Sequence, residues 1–267
     1  MTKVKKTQLL LIVAAVVLSV LLYFAPKHSD ASTEKTVLSS DNNTQTIEVF
    51  VNAVKNSLAP ELKNKAEQKN YDSLIAFWDR NKRPDVSAFY FEKKVLNTKQ
   101  ATDWFKAGDR YYYSVRFIKD PDESPLLYSS AMRCYEKGLK LEPANTEAKI
   151  MLASCLVEGS ADPMKGISML RDIEKTDSNN VTLQLNFAFF SVRSQQWDKA
   201  VKRFEKVIQI DSTYIEAYLH LADAYEQMGQ KSKTIEALEK YKSKTDDALS
   251  REEIGKYIEQ LKINLNK

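Results

Sequence analysis

The chain has 267 residues, of which 43% are hydrophobic and 28% are charged, so it can bury a sizeable core and is not a disordered polypeptide. Its 6 glycines and 7 prolines are too few for a many-stranded sheet, and an all-α fold is predicted. The formal net charge of +4 equals the four lysines among the first 27 residues, which contain no acid. The remainder is neutral overall, which argues against a nucleic-acid partner.

The N-terminal region reads as a membrane anchor. A basic segment at residues 1–7 precedes the predicted anchor at 8–25. Within this anchor every residue from Leu9 to Ala25 except Ser19 is apolar, and the run reaches about 25 Å as a helix, which can just span a thin bilayer. Because lysines precede the span, we expect residues 1–7 in the cytoplasm and the rest of the chain on the other side of a single-pass membrane protein. A cleaved signal peptide is the alternative, since Ser29-Asp30-Ala31 offers small residues at the cleavage positions.

The segments after the anchor differ in composition. Residues 26–45 are rich in Ser, Thr, Asp and Asn and are predicted to form a flexible linker. Residues 46–66 carry apolar side chains at helical spacing and are predicted to form an N-terminal cap helix. In a Gram-negative bacterium, the remaining domain would lie in the periplasm.

An interval of 34 residues organises the rest of the chain. Small residues recur at this interval, and each is followed four positions later by a large apolar one: Gly166 and Leu170, Ala200 and Phe204, Thr234 and Leu238. Such a period, with helical apolar spacing, indicates one helical hairpin per repeat. A single hairpin cannot bury its own apolar face, so the hairpins are expected to stack.

The repeat resembles the tetratricopeptide repeat (TPR) family, which places large, small and aromatic residues at set offsets. In the clearest unit, Tyr218, Leu221, Ala222 and Tyr225 occupy first-helix offsets. The resemblance implies an α-solenoid of helical hairpins over 68–248. The predicted units are 68–100, 101–145, 146–180, 181–214 and 215–248, with departures from the pattern at Gln184 and Ser191.

Two local features modify the array. Unit 101–145 contains an insertion of 11 residues, which predicts a lengthened first helix followed by a loop that includes Asp120 to Pro125. After the last unit, Ser250 and Glu253 form a capping-box pattern, and apolar residues follow at helical spacing. A C-terminal capping helix within 250–267 is therefore expected to cover the array.

The resemblance implies a partner site on the concave face of the first helices, where a peptide or helix of another protein would bind. Asn186 also matches one position of the carboxylate clamp of chaperone-binding TPR proteins, but Glu216 stands where that clamp needs a cation, and the clamp is rejected. The predicted groove residues are Phe105, Asp109, Tyr112, Ile150, Ser154, Leu185, Asn186, Phe189, Leu219, Asp223 and Glu226.

These groove residues form an apolar and aromatic set with acids at its C-terminal end. It would favour a segment with hydrophobic anchors and basic residues. The alternative is that Phe105, Leu185 and Phe189 are buried by a tight superhelix or by the linker.

Catalytic residues, a metal site, a cofactor and a small-molecule substrate are not indicated. The thiols of Cys134 and Cys155 fall on different helices from His220, so no nucleophile and base are predicted to meet. Both cysteines are interpreted as apolar fillers, and a disulfide between them is the alternative in an oxidising compartment. The sequence thus predicts a membrane-tethered protein-interaction scaffold. The alternatives are an envelope assembly factor acting through its outer surface and tether, and an enzyme or glycan-binding protein.

Overall fold

The computed structural model describes residues 64–65, 67–118 and 123–265. The chain divides into two units, Met1–Val37 and Leu38–Lys267, and all described residues belong to the second. The predicted anchor at 8–25, the linker at 26–45 and nearly all of the cap helix at 46–66 lie outside the described residues. Within the described part, no helix combines the length and apolar character needed to span a bilayer.

The described residues contain eleven α-helices with assigned bounds and one 3₁₀ turn, besides helical residues at 64–65 and 67, and they contain no strand. The prediction of an all-α fold is therefore confirmed. The helices are α1 Tyr71–Arg80, α2 Pro84–Val95, α3 Ala101–Ser114, α4 Ser124–Leu141, α5 Thr146–Gly159, α6 Pro163–Thr176, α7 Val181–Arg193, α8 Trp197–Ile210, α9 Glu216–Gln227, α10 Lys231–Lys244 and α11 Ala248–Leu265, and the 3₁₀ turn is Val115–Phe117.

Short polar side chains fix where several helices begin. The side chains of Asn70, Asn145 and Asn180 accept hydrogen bonds from backbone N–H groups in the first turns of α1, α5 and α7. Asp162 does the same for α6, in which Pro163 is the first residue. Each cap satisfies a donor that the helix itself leaves free, and proline is tolerated in the first turn because its missing N–H would have no helical partner there.

Consecutive helices pack as hairpins, and each hairpin packs on the next. The first helices of successive repeats also touch, α3 with α5 and α5 with α7. All six residues that define the 34-residue interval are buried. At Gly166 a Cβ atom would lie 2.4 Å from the carbonyl oxygen of Ala153, so α5 and α6 approach too closely for any side chain there. The recurring small residues therefore mark the crossing points within hairpins.

The insertion in unit 101–145 lengthens the second helix instead of the first. Helix α3 ends at Ser114 and is extended only by the 3₁₀ turn, whereas α4 has 18 residues. The prediction of a longer first helix was therefore wrong. Ser124 and Pro125, which were predicted to lie in the loop, belong to α4. Pro125 lies in the first turn of α4, where a helix accepts proline, so it starts this helix.

The C-terminal helix α11 begins two residues before the predicted cap. The Asp247 carboxylate accepts hydrogen bonds from the Leu249 N–H at 3.1 Å and from the Ser250 hydroxyl. Asp247 is thus the capping residue, and the predicted capping box of Ser250 with Glu253 was wrong, because Ser250 already lies within the first helical turn. Helix α11 packs against α10 and buries Ile258 and Leu261 in the core.

Candidate functional site

The middle of the predicted groove is closed. Ile150 is completely buried in a core cluster with Leu170 and Leu183, and Ser154 is completely buried as well. The Ser154 hydroxyl lies 2.9 Å from the backbone oxygen of Ile150 and 2.6 Å from Oδ1 of Asn186. These two predicted groove residues therefore offer no surface to a partner, and their assignment is corrected.

Helix α7 covers this part of α5, and Asn186 shows how. Its Oδ1 accepts the bond from Ser154, while its Nδ2 donates to the backbone oxygen of Thr182 at 2.8 Å. Asn186 is half-buried and has its amide engaged on both sides. It joins two first helices to each other.

Three apolar members of the predicted groove pack against the core. Phe105, Leu185 and Leu219 are half-buried at the edges of hydrophobic clusters. A Cβ atom on Gly138 would lie 2.3 Å from the Phe105 ring, so this ring rests directly on the backbone of α4. For Phe105 and Leu185 the structure supports the alternative of burial over full exposure.

Phe189 is the large apolar side chain that this face exposes most clearly. It is 36% exposed, and its ring meets the rings of His220 and Phe204 edge-on at centroid distances of 5.0 and 5.6 Å. The His220 ring in turn stacks on the buried Phe204 at 5.0 Å. Phe189 therefore projects from a packed aromatic base, which limits the rotational freedom of its side chain.

Two acids of α9 stand beside this aromatic base. Asp223 and Glu226 are exposed, and Glu226 accepts a hydrogen bond from the Tyr257 hydroxyl of α11 at 2.5 Å. Although its side chain reaches solvent, desolvation by the surrounding groups and the neighbouring charge of Glu226 raise the pKa of Asp223, whereas His220 acts in the opposite direction. Burial lowers the pKa of His220 in spite of the nearby acids. This end of the first-helix face thus combines an exposed aromatic ring with negative charge.

Glu158 forms a polar centre that the sequence did not predict. Its carboxylate accepts hydrogen bonds from the hydroxyls of Tyr112, at 2.9 Å, and Tyr128, and pairs with the Arg193 guanidinium at 3.0 Å. The pKa of Tyr112 is raised well above its usual value by burial and by Glu158. The centre joins α3, α4, α5 and α7, so Tyr112 acts here as a structural contact as well as a surface ring.

Asp109 is engaged in a similar way. It is half-buried and accepts a hydrogen bond from the Tyr135 hydroxyl of α4 at 2.6 Å. Burial raises its pKa, and the bond from Tyr135 acts against that rise. A helical offset predicts the direction of such a side chain, but not that a tyrosine of the next helix reaches it.

The groups considered for chemistry are placed in the core. Cys134 and Cys155 are free and completely buried, and burial raises the pKa of both thiols. Protonated, buried thiols are poor nucleophiles, which agrees with the interpretation as apolar fillers. In the described part of the chain, no group of His, Cys, Asp and Glu side chains is arranged to hold a metal ion.

Stacked two-helix hairpins with small residues at their crossings define a helical-hairpin repeat protein. Family models agree in the C-terminal half: one described as TPR repeat matches residues 192–229, and one described as tetratricopeptide repeat matches residues 216–244. The chain therefore contains TPR repeats. It matches no curated protein sequence significantly.

The solved structures with similar folds include two that are described as TPR proteins. A tetratricopeptide repeat protein from Parabacteroides merdae superimposes with a TM-score of 0.50 at 15% identity, over 84% of this chain and 81% of that chain. YrrB, a TPR protein with an unusual peptide-binding site, superimposes with a TM-score of 0.41 at 19% identity, over 74% of this chain and 98% of that chain. Yeast Tom70 superimposes with a TM-score of 0.41 at 12% identity, over 91% of this chain and 68% of that chain.

Proposed function

We propose that the protein is a membrane-tethered scaffold that holds a segment of another protein on the first-helix face around Phe189. The TPR fold is consistent with protein–protein interaction, and the tether is inferred from the apolar run at 8–25 and the lysines before it. The repeat domain would lie on the periplasmic side. The scaffold acts by binding alone.

The observation that carries the proposal is the exposed Phe189 on its buried aromatic base, next to two exposed acids. A preordered aromatic ring contributes much to affinity because little side-chain entropy is lost on binding. The acids Asp223 and Glu226 favour a partner with a basic residue next to its hydrophobic anchor. Compared with the groove predicted from the sequence, the proposed surface is shorter, since Ile150 and Ser154 are buried.

Differential capture from detergent-solubilised membranes tests this proposal. The full chain is compared with Phe189→Ala and with the control Leu249→Ala, which removes another exposed large side chain, 72% exposed, from α11. A partner held on the first-helix face is retained by the control, whereas Phe189→Ala weakens its binding by about fivefold to a hundredfold if the ring supplies the typical 1–3 kcal/mol of an anchor. Equal retention by both variants, with unchanged helical content, would remove Phe189 from the binding surface.

The tether is tested separately by protease access in sealed spheroplasts. Digestion of the repeat domain from the outside is expected, with a short N-terminal segment protected. Protection of the whole chain would contradict the proposed topology.

A further inference from the structure

A cleft of about 760 Å³ opens between α6 and α8, the second helices of two successive hairpins, above α7. It lies away from Phe189, Asp223 and Glu226, which do not line it. The volume falls in the range of sites that hold a ligand the size of a few side chains. This surface is called the α6–α8 cleft below.

The cleft contains the two departures from the repeat pattern. Gln184 and Ser191 line it. At the corresponding offsets, unit 101–145 has Trp104 and Tyr111, both buried. Smaller side chains at these packing positions leave space between neighbouring helices that large rings fill elsewhere.

Gln184 is integrated into this altered packing. It is 2% exposed, its Nε2 donates to the backbone oxygen of Ser178 at 2.8 Å, and its Oε1 accepts from Arg203 at 2.8 Å. The Arg203 guanidinium also pairs with Glu174 and lies 4.5 Å from the centre of the Phe187 ring. Both ends of the buried amide are therefore satisfied, and Arg203 is fixed in the cleft wall.

Positive charge is concentrated along the cleft. Five cations line it, namely Arg171, Lys199, Lys202, Arg203 and Lys206, against one acid among its lining residues, Glu174. Glu174 forms an ion pair with Arg203. In the described part of the chain, the other four cations form no ion pair. An excess of four positive charges therefore faces one opening, although residues 28–267 are neutral overall.

Apolar groups lie between the cations. Phe187 and Phe190 from α7, together with Val157 and Ile167, also line the cleft, and all four are half-buried. A bilayer surface would meet the exposed lysines before it met these recessed groups. A nucleic acid would need cations along an extended track, whereas this cluster surrounds one apolar opening.

We infer that the α6–α8 cleft binds an acidic segment of a partner protein. An aromatic or aliphatic side chain of that segment enters against Phe187, and its flanking carboxylates meet Lys199, Lys202 and Arg171. Charge complementarity selects the occupant, and the apolar floor requires a hydrophobic residue among the acids. The site goes beyond the proposed function because its cations lie on the second helices α6 and α8 and give it the opposite charge from the face around Phe189.

Fluorescence anisotropy of the full chain in detergent tests the inference. The probe is a short fluorescein-labelled peptide of alternating glutamate and phenylalanine. Saturable binding is expected, and Lys199→Glu with Lys202→Glu weakens it about tenfold or more. The matched control is Lys240→Glu with Lys244→Glu, which makes the same charge change at two exposed positions of α10 and leaves affinity within about twofold.

Three further measurements separate the outcomes. Ser191→Tyr places the usual ring in the cleft and is expected to abolish probe binding while the helical content is kept. A glutamate–serine peptide, which lacks the hydrophobic side chain, is expected to bind weakly. Phe189→Ala is expected to leave probe affinity unchanged, so failure of the cleft proposal is distinguishable from failure of the proposed binding surface around Phe189. Equal weakening by both double variants overturns the inference, as does tighter binding of a single-stranded oligonucleotide or of anionic phospholipid vesicles than of the probe.

Discussion

Glu92 provides a sharp test of how the first two repeats are joined. It lies on α2 and is buried, and its carboxylate accepts hydrogen bonds from the Tyr111 hydroxyl at 2.9 Å and from Arg133 Nη2 at 2.8 Å. Lys137 lies 3.7 Å away. Because these partners belong to α3 and α4, the carboxylate connects α2 to the following hairpin.

Glu92→Leu is expected to lower the free energy of unfolding by about 3–5 kcal/mol, since it leaves the Arg133 guanidinium buried without its partner. The side chains of Glu92 and Arg133 are only 11% and 15% exposed, so water replaces little of the lost interaction. Glu92→Leu with Arg133→Leu is expected to recover most of the loss, because apolar side chains of similar size often replace a buried ion pair at little cost. The two substitutions therefore couple strongly.

Urea unfolding of the wild type, both single variants and the double variant, followed by circular dichroism, measures this coupling. The Arg133→Leu variant serves as the second arm of the cycle. Additive losses, or a loss below about 1 kcal/mol for Glu92→Leu, would show that the carboxylate does not join α2 to the next hairpin.

The same network predicts a dependence on pH. Burial alone would raise the pKa of Glu92, but hydrogen bonds from Arg133 and Tyr111 and the charge of Lys137 outweigh it, so the pKa lies below its ordinary value of 4.5. The unfolded chain therefore binds the proton more readily, and the contribution to stability is present above about pH 4.5 and lost as the pH falls through the lower native value. The double variant should lose this part of the acid sensitivity.

Two other predictions concern packing. Gly166→Ala forces a methyl group against the carbonyl oxygen of Ala153 and is expected to lower the free energy of unfolding by about 1–3 kcal/mol in thermal melts, whereas Gly229→Ala, at an open turn with φ of +69°, costs backbone strain without a clash. The thiols of Cys134 and Cys155 should resist a thiol reagent in the native state and both react in denaturant. Rapid labelling of either thiol in the native protein would contradict their burial, and absence of labelling after unfolding without reductant would show that the two cysteines are not free.

The hairpin crossings could be predicted because they depend on contacts near in sequence. Ala200 and Phe204 lie one turn apart on the same helix face, and both are completely buried, as the 34-residue interval required. The same argument placed Ile150 on a free face, which was wrong. An offset fixes the direction of a side chain on its own helix, and whether Leu183 of the next repeat covers it depends on the spacing between helices.

The prediction for the inserted segment of unit 101–145 was wrong for a related reason. Apolar spacing continued past Ser114, and the sequence therefore favoured a longer α3. In the structure a helix starts at Ser124 instead, with Pro125 in its first turn, and local propensity alone does not choose between these two arrangements. Tertiary packing decides, because residues Leu127 and Tyr128 of the extended α4 become buried.

Departures from a repeat pattern carry information that the pattern itself does not. Gln184 and Ser191 weaken the match of unit 181–214 to the family. If the change at Gln184 were random, its buried amide would lie among apolar groups without hydrogen-bond partners. Instead, the Gln184 amide is satisfied on both sides and fixes Arg203. In this chain, polar residues at two offsets that are aromatic in unit 101–145, followed by lysines along the next helix, therefore mark in the sequence where the α6–α8 cleft forms.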